Sequence, residues 1–273
     1  MQNELTQNAI EQNKGWMSLG KWAELYDLIT PQSFSYADLL DMREQFVRYG
    51  YVKLPAFLTS EALHIFKSEM EDMEQIAMRK QFEMPGYNTP RSLSVLGGAL
   101  IKSQSPLLYS LYHHYALRGC IESIVGRPIY TCNHREEFMV ANFLHNSGDT
   151  HGWHLDDPAF ALIIFAEAPT EGGGGEVEFI ANWTDLCKRK GYKPDENVSE
   201  LVNWANDNGL VDRKSHQSGD AYLLRADLNL HRVMPLLRGN ERRSAVNLAF
   251  QATPTATYGS TANLLYGTPE ITV

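Results

Sequence analysis

Apolar residues recur along this chain with two different periods, and the change falls near Gly126. Before that point their spacing is helical and predicts helices over residues 16–30, 36–49, 61–81 and 106–125. A short strand is predicted at Tyr51–Leu54, and a loop at 84–91 carries two prolines and a glycine. The first half of the chain is therefore predicted to be mainly helical.

The second half of the chain consists of short β-rich runs separated by turn residues. Candidate strands cover residues 129–132, 137–143, 160–166, 176–180, 221–224, 232–236 and 244–251. A segment at 183–208 has helical spacing and is expected to be a surface insert. Helices followed by many short strands predict one α+β unit built around a barrel or jelly roll. We expect residues 1–15 to form a flexible tail and 16–273 a single domain, with a helical support (16–126) and a barrel core (127–273).

Composition and charge exclude several classes of protein. Hydrophobic residues make up 43% of the sequence and aromatic residues 11%, so extensive disorder is not expected. The formal net charge of −9 argues against non-specific binding of nucleic acids or anionic membranes. No apolar run approaches the roughly 18 residues of a membrane span, and the polar N-terminus does not resemble a signal peptide. We therefore expect a cytoplasmic protein. The three cysteines are widely spaced without a CxxC pair, which predicts neither a disulfide framework nor a zinc knuckle.

Three residues could form a metal site in the predicted barrel. His154 and Asp156 are two positions apart, and residues i and i+2 of a strand point to the same face, so both could bind one ion. His231 would supply a third ligand from another strand. Two imidazoles and one carboxylate leave coordination positions open, as oxygen-activating Fe(II) requires. An HxD pair by itself is common by chance, and each histidine could instead be an ordinary core or surface residue.

The surroundings of these residues favour the metal site. His231 follows a Gly-Asp turn, an apolar strand and a polar bend, and Arg242 and Arg243 follow eleven and twelve residues later. This order of an HxD pair, a distal histidine and a downstream arginine resembles that of the Fe(II)/2-oxoglutarate oxygenases, over about residues 46–251. The resemblance implies a double-stranded β-helix (a jelly-roll or cupin-like barrel) flanked by N-terminal helices. It also implies bound Fe(2+), with 2-oxoglutarate and O2 as co-substrates.

In that family the arginine binds the distal carboxylate of 2-oxoglutarate through its forked guanidinium. Alternate residues of a strand point to opposite faces, and this distinguishes Arg243 from Arg242. Arg243 shares a face with Ala245 and Asn247, which suits a wet pocket, whereas Arg242 shares the apolar face of the same strand. We therefore predict that Arg243 binds the co-substrate. An R-x-S pattern that begins at Arg242 keeps Arg242 as the alternative.

The stretch from His151 to Asp157 resembles a narrower group, the free-amino-acid radical halogenases of the BesD type and their hydroxylase relatives, many of which act on lysine. In the halogenases a glycine replaces the carboxylate of the metal triad, and chloride fills the vacated position. Asp156 stands at that position here. The resemblance therefore points to the hydroxylase branch.

The same resemblance implies five substrate contacts, at Arg91, Glu137, His151, Asp157 and Asn247. Arg91 corresponds to an arginine that binds the substrate carboxylate, and Glu137 and Asp157 correspond to acidic residues that bind an amine. Four of the five have an ordinary structural alternative. Asp157 could cap a turn, Glu137 could belong to a solvated pair, and Arg91 could form a loop salt bridge, while His151 could merely support a ligand.

These observations predict Fe(II)/2-oxoglutarate-dependent hydroxylation of an unactivated C–H bond of a free amino acid, with L-lysine favoured. The alternatives are ornithine, arginine or another amino acid, a carrier-bound residue, radical halogenation, or a non-catalytic small-molecule-binding barrel. The group's late aromatic contact falls at Tyr258 or Tyr266, and Ala249 stands where a hydroxyl is expected, which leaves the exact amino acid open. The expected partner is a small amino acid rather than nucleic acid or membrane, and a homodimer is compatible with the sequence.

Overall fold

A computed structural model of the chain describes residues 34–259 and 261–266. The tail predicted at 1–15 and the helix predicted at 16–30 lie outside the described residues.

Two helices and a strand open the described part of the chain. Helix α1 (Tyr36–Tyr49) ends at Gly50, whose φ of 62° is a left-handed conformation that glycine adopts at little cost. Strand β1 (Tyr51–Leu54) follows. Helix α2 (Ser60–Glu74) begins after Thr59, whose side chain caps its N-terminus. The predicted helix at 36–49 and the predicted strand are therefore confirmed.

The next segment corrects two predictions. In place of a helix that continues to residue 81 and a loop at 84–91, the chain forms a hairpin of β2 (Met78–Met84) and β3 (Thr89–Gly97). The side chains of β2 alternate between partly buried and exposed, but its methionine, lysine and glutamine residues also favour helices. Pairing with β3 along the whole of β2 decides between the two structures, and Arg91 consequently lies on a strand.

Three short helices separate this hairpin from the remaining strands. They are α3 (Gly98–Gln104), α4 (Pro106–His113) and α5 (Tyr115–Val125). The single helix predicted at 106–125 is interrupted because the backbone of His114 is extended, with φ −69° and ψ 129°.

The second half of the chain completes a curled antiparallel sheet. Its strands are β4 (Tyr130–Thr131), β5 (Met139–Leu144), β6 (Thr150–His154), β7 (Phe160–Glu167), β8 (Val177–Ile180), β9 (Val211–Lys214), β10 (Ala221–Arg225), β11 (Leu230–Val233) and β12 (Arg243–Gln251). Helices α6 (Trp183–Lys190) and α7 (Val198–Asp207) lie between β8 and β9, and α8 (Thr261–Tyr266) follows β12. Strands β6 and β9 were not among the candidate strands, and β11 begins two residues before the predicted run.

The strand order is β1-β10-β7-β12-β5-β3-β6-β11-β8-β9, with β2 beside β3 and β4 beside β12. Helices α1, α2, α4 and α5 pack with β5, β7, β10 and β12 in the largest hydrophobic core. Helices α6 and α7 pack with β6, β8 and β11, so this insert is helical as predicted, but Trp183 and Cys187 are fully buried in it. This arrangement is a double-stranded β-helix with flanking helices, which confirms the predicted α+β fold class. Within the described residues no helix is long and apolar enough to cross a membrane.

Strand β3 connects the two sides of the barrel. Its residues 94–97 pair with β5, whereas Arg91 and Ser92 pair with His151 and Thr150 of β6. A Cβ atom at Gly152 would lie 2.8 Å from the carbonyl oxygen of Pro90, so the close approach of β6 to β3 requires glycine. The strand that carries Arg91 is therefore fixed directly against the strand that carries His151 and His154.

The start of β6 is held by a buried carboxylate. Asp149 is 1% exposed, and its two oxygens accept hydrogen bonds from both terminal nitrogens of Arg79 on β2. The backbone N–H groups of His145 and Asn146 donate to the same side chain. Burial acts to raise the pKa of Asp149, but these hydrogen bonds outweigh it and lower the pKa to about 2. The carboxylate therefore stays ionised and ties the β2–β3 hairpin to β6.

Candidate metal centre and ligand cavity

Three predicted metal ligands converge in the folded chain. The ligand atoms of His154, Asp156 and His231 all lie within 4.8 Å of one another. Nε2 of His154 lies 3.3 Å and Nε2 of His231 lies 3.6 Å from Oδ1 of Asp156. His154 ends β6 and pairs in register with His231 on β11, which brings the ring centroids within 4.2 Å. Asp156 lies just beyond the end of β6, where its backbone N–H donates to the carbonyl oxygen of Ala226.

Both imidazoles are oriented by backbone carbonyl groups. Nδ1 lies 2.7 Å from the carbonyl oxygen of Gly152 in His154 and 2.9 Å from that of Asn229 in His231. A carbonyl oxygen can only accept, so Nδ1 carries the proton and Nε2 of the neutral ring directs its lone pair towards Asp156. This is the orientation that a metal-binding imidazole requires.

The charge states of His231 and Asp156 also suit a divalent cation. Burial, with the neighbouring His154, lowers the pKa of His231 to about 4, so the ring stays neutral at physiological pH. Burial acts to raise the pKa of Asp156, but the neighbouring His231, His154 and Arg91 lower it overall. Two neutral imidazoles and one carboxylate form the donor set of a non-haem Fe(II) site, and the residues present therefore fit that ion.

One cavity contains the triad and almost all of the other predicted site residues. Its walls include Arg91, Glu137, His151, Asp157, Arg243 and Asn247. Buried atoms of this set without a hydrogen-bond partner within the described residues are Nε of Arg91 and Arg243, Oε2 of Glu137, Nε2 of His151 and Oδ1 of Asn247. Buried polar atoms are normally paired, so such a concentration indicates a polar ligand.

The two candidate arginines point in opposite directions. Arg243, the first residue of β12, is 2% exposed and lies over the ring of Phe165, 4.9 Å from its centroid. Arg242 lies at the surface, where it forms ion pairs with Glu74 and Glu167. The structure therefore brings Arg243 to the cavity, as strand parity predicts, and does not bring Arg242 there.

Arg91 occupies another wall of the cavity. It is 1% exposed, and Nη1 donates to the side chain of Thr89 and to the carbonyl oxygen of Pro90. These acceptors are neutral, which argues against the loop salt bridge considered above. Burial lowers the pKa of Arg91 to about 10, so the guanidinium remains charged at neutral pH.

The predicted acidic contacts differ in their surroundings. Glu137 lies in the turn before β5 rather than on a strand, and burial, followed by the charges of Asp157 and Asp156, raises its pKa to about 8. Asp157 is exposed, and its Oδ2 accepts a hydrogen bond from the backbone N–H of Gly259 at 2.6 Å. This bond connects the loop after β6 to the segment that follows β12, and among the residues that the structure describes it engages only one of the two carboxylate oxygens.

The two remaining predicted contacts, His151 and Asn247, also line the cavity. The ring of His151 stacks on that of His154 at a centroid distance of 4.1 Å. Burial, followed by His154, holds the pKa of His151 well below its usual value. Asn247 faces the cavity from β12.

A family model described as halogenase D matches residues 34–266. The chain belongs to the halogenase D family. A comparison with curated proteins finds no match.

Solved structures with the same fold include three proteins of low sequence identity. The epimerase SnoN, in complex with Fe3+, alpha ketoglutarate and nogalamycin RO, is 14% identical with a TM-score of 0.61, covering 88% of this chain and 93% of that one. A prolyl hydroxylase from Trichoplax adhaerens is 14% identical with a TM-score of 0.53, covering 80% and 94%. HygX from Streptomyces hygroscopicus, with nickel and 2-oxoglutarate bound, is 15% identical with a TM-score of 0.53, covering 78% and 87%. At such identity the likeness shows a shared fold alone.

The cavity of this halogenase D family member also includes polar residues that the sequence analysis missed. Tyr87, Asn142 and Tyr222 all line it. A polar residue inside the otherwise apolar β5 is a signal that could have identified Asn142, whereas Tyr222 resembles an ordinary core residue of β10. Of the two late aromatic candidates, Tyr266 lines the cavity, and the hydroxyl of Tyr258 instead accepts a hydrogen bond from the backbone N–H of Asn133.

Proposed function

We propose that this member of the halogenase D family hydroxylates a free basic amino acid, L-lysine, with Fe(II), 2-oxoglutarate and O2. One observation carries the proposal: a single cavity joins the His-Asp-His triad to two buried guanidinium groups and two further carboxylates. Location in the cytoplasm and assembly into a homodimer stay predictions.

Two buried arginines require two anions. Arg243 and Arg91 lie on β12 and β3, and each has an unpaired buried Nε atom. A buried charge without a partner is costly, so each guanidinium is expected to meet a carboxylate of a bound ligand. We assign the distal carboxylate of 2-oxoglutarate to Arg243 and the substrate carboxylate to Arg91.

The charged side chains in the part of the cavity that we assign to the substrate favour a basic amino acid. Apart from the triad and Arg243, the cavity offers one guanidinium, on Arg91, and two acidic side chains, Glu137 and Asp157. Lysine carries one carboxylate and two ammonium groups, so its charges match this set one for one. A neutral amino acid would leave one acid uncompensated, and a carrier-bound or peptide substrate would leave Arg91 without its anion.

Bound Fe(II) supplies the oxidising chemistry, in which R–H, 2-oxoglutarate and O2 give R–OH, succinate and CO2. The chain's own residues hold and orient the reactants. Arg91 fixes one end of the amino acid, and Glu137 and Asp157 fix its cationic groups, so that one carbon faces the triad. Such positioning contributes a large part of the rate when reacting atoms are held within about 3–3.5 Å.

Radical halogenation is the second candidate function, and the match to the halogenase D family model favours it. The halogenases that the sequence resembles have glycine at the triad carboxylate position, which leaves room for chloride. In this chain Oδ1 of Asp156 lies 3.3 Å from Nε2 of His154 and is positioned as a ligand. We therefore propose hydroxylation rather than halogenation.

The products from lysine in chloride-rich buffer test this proposal. We expect a mass gain of one oxygen, formation of one succinate per product, and no chlorinated product. Ornithine, arginine, leucine, lysine methyl ester and Nε-acetyl-lysine form the comparison panel, because the last two remove one recognised charge each. A chlorinated product would contradict the role of Asp156, and turnover of leucine with lysine untouched would contradict the substrate assignment.

The state of Glu137 should make substrate use depend on pH. Its pKa of about 8 means that the empty cavity holds a neutral carboxylic acid at neutral pH, and an ammonium ligand requires the carboxylate. We therefore expect kcat/KM for lysine to rise between pH 6 and 8, by up to about tenfold per pH unit, and then to level off. Glu137→Gln should lower kcat/KM at pH 8 by roughly 30-fold or more and flatten the profile.

A matched control for this measurement is Glu136→Gln. Oε2 of Glu136 accepts a hydrogen bond from the backbone N–H of Ala99, and an amide oxygen can do the same. This variant should keep the pH profile of the wild type. An unchanged profile in Glu137→Gln would remove Glu137 from the binding of the amine.

A further inference from the structure

We propose that strand β2 is the interface of a homodimer, in which its outer edge pairs antiparallel with the same edge of a second copy and Gln81 lies on the twofold axis. Formation of this dimer requires no particular substrate or reaction in the cavity.

Strand β2 is the longest strand in the described part of the chain that has a neighbouring strand on one side only. It pairs with β3 alone, over seven residues, whereas β1, β4 and β9, the other described strands with a single partner, have four, two and four residues. It contains neither proline nor glycine, and its register with β3 runs without a bulge. Its outer edge is therefore a straight and regular template for a second strand.

The charged residues on the exposed face of β2 are arranged symmetrically. Arg79 and Glu83 lie two positions on either side of Gln81, and all three side chains are exposed. Charges on an edge strand usually oppose pairing. About a twofold axis at Gln81, however, Arg79 of each copy lies opposite Glu83 of the partner subunit. Opposite charges that face each other across two strands stabilise the pair, and the dimer contains two such contacts.

Arg79 can make this contact while it holds the hairpin in place. Its terminal nitrogens bind the buried Asp149, yet its side chain is still 38% exposed. The guanidinium therefore presents an accessible side to a carboxylate from a second copy.

The other face of β2 is complementary in the same register. Its side chains are partly buried or buried. Lys80 comes to lie opposite Phe82 of the partner subunit, and Met78 opposite the partner's Met84. A lysine over an aromatic ring and two apolar side chains against each other are both favourable contacts. Every position of β2 therefore finds a compatible partner.

Neighbouring registers lack this complementarity. An axis at Lys80 would place two lysines opposite each other, which is destabilising. An axis at Phe82 would place Arg79 opposite Pro85, which has no N–H group to donate to a paired strand. The axis at Gln81 is therefore favoured both by its own contacts and by the poor contacts of the alternatives.

Pairing through β2 would also support a wall of the cavity. The hairpin of β2 and β3 carries Met84, Tyr87 and Arg91, and all three line the cavity. A partner strand adds a second row of hydrogen bonds along β2, so the hairpin becomes an interior part of a continuous sheet.

A charge exchange at Gln81 tests the interface, because this residue would face its own copy. Gln81→Glu and Gln81→Lys each place like charges on the axis, whereas a mixed dimer of the two variants places opposite charges there. One full-length variant carries a heavy nitrogen label, the two are mixed in equal amounts until subunits have exchanged, and native mass spectrometry counts the mixed dimers. The matched control is the same pair of changes at Gln45, an exposed residue of α1.

We expect the wild type to be a dimer at micromolar concentration and the Gln81 mixture to contain about four-fifths mixed dimers or more, against about one half for random exchange. The Gln45 mixture should contain about one half. Glu83→Lys turns both attractive contacts into repulsive ones, so it should raise the dimer dissociation constant by at least about tenfold, measured by sedimentation equilibrium.

Three results would overturn the proposal. A monomeric wild type would remove the dimer. About one half of mixed dimers from the two Gln81 variants would place the interface elsewhere on the protein. A Gln81→Glu homodimer tighter than that of the wild type would mean that Gln81 faces a basic residue of the partner subunit rather than its own copy.

Discussion

His231→Ala is expected to lose Fe(II) binding and turnover together while the protein remains folded. In the proposed metal site His231 supplies one of three ligand atoms, and His154 and Asp156 alone would leave too few donors to hold the ion. Because altering groups that merely support a ligand already costs 10- to 100-fold, losing a ligand should lower activity by at least about 1000-fold. The ring is neutral and buried, so its removal creates a small cavity but no unpaired charge.

The measurements for this variant are iron content after loading, turnover, and the thermal unfolding midpoint. His113→Ala is a suitable control, since His113 lies at the end of α4 among the rings of Tyr109 and Tyr112, away from the cavity. It should load iron as the wild type does. Retention of iron and activity by a folded His231→Ala protein would remove His231 from the metal site.

The second large effect is expected at Arg243 but not at its neighbour. Arg243→Ala removes a buried guanidinium that we propose binds the distal carboxylate of 2-oxoglutarate. Loss of such a charge pair costs about 2–5 kcal/mol, which corresponds to a rise in KM for 2-oxoglutarate of roughly 30-fold to more than 1000-fold. The KM for lysine should change far less, because Arg91 belongs to a different wall of the cavity.

Arg242→Ala is the internal comparison for that experiment. Arg242 is bound to Glu74 and Glu167 at the surface, and exposed ion pairs contribute about 0–1 kcal/mol. We expect its KM for 2-oxoglutarate to stay within about twofold of the wild type, with at most a small drop in thermal stability. If Arg242→Ala carries the defect and Arg243→Ala does not, the co-substrate assignment is reversed.

The convergence of the site was predictable because it depends on strand geometry. Alternation along β12 separates Arg243 from Arg242 with no knowledge of the rest of the fold. His154 and His231 lie on strands that pair directly, as a shared metal requires. Asp156 was expected on the same strand as His154, but it approaches the triad from a loop just past the end of β6.

The elements that were missed depend on partners distant in sequence. The residues of β2 favour a helix locally, and only pairing with β3 and the contact of Arg79 with Asp149, 70 positions later, makes them a strand. Arg91 was expected on a loop for the same reason. Tyr222 carries no local sign of a polar role, because it comes to line the same cavity as Arg243 only once β10 and β12 share a barrel.

The direct pairing of β3 with β6 fixes one distance along the cavity, the distance from Arg91 to the metal ligands. Arg91 is the register partner of His151, and His154 ends the same strand, so the backbone sets the separation of Arg91 from the metal ligands. If Arg91 holds the carboxylate of the amino acid, the oxidised carbon lies at a fixed distance from that carboxylate. Ornithine, one methylene shorter than lysine, would then be oxidised at the same carbon counted from the carboxylate, with its side-chain ammonium drawn away from the acidic residues. If the acidic residues instead fixed the ammonium, the oxidised carbon would move by one position, so the regiochemistry of a homologous series reports which end of the substrate is the reference point.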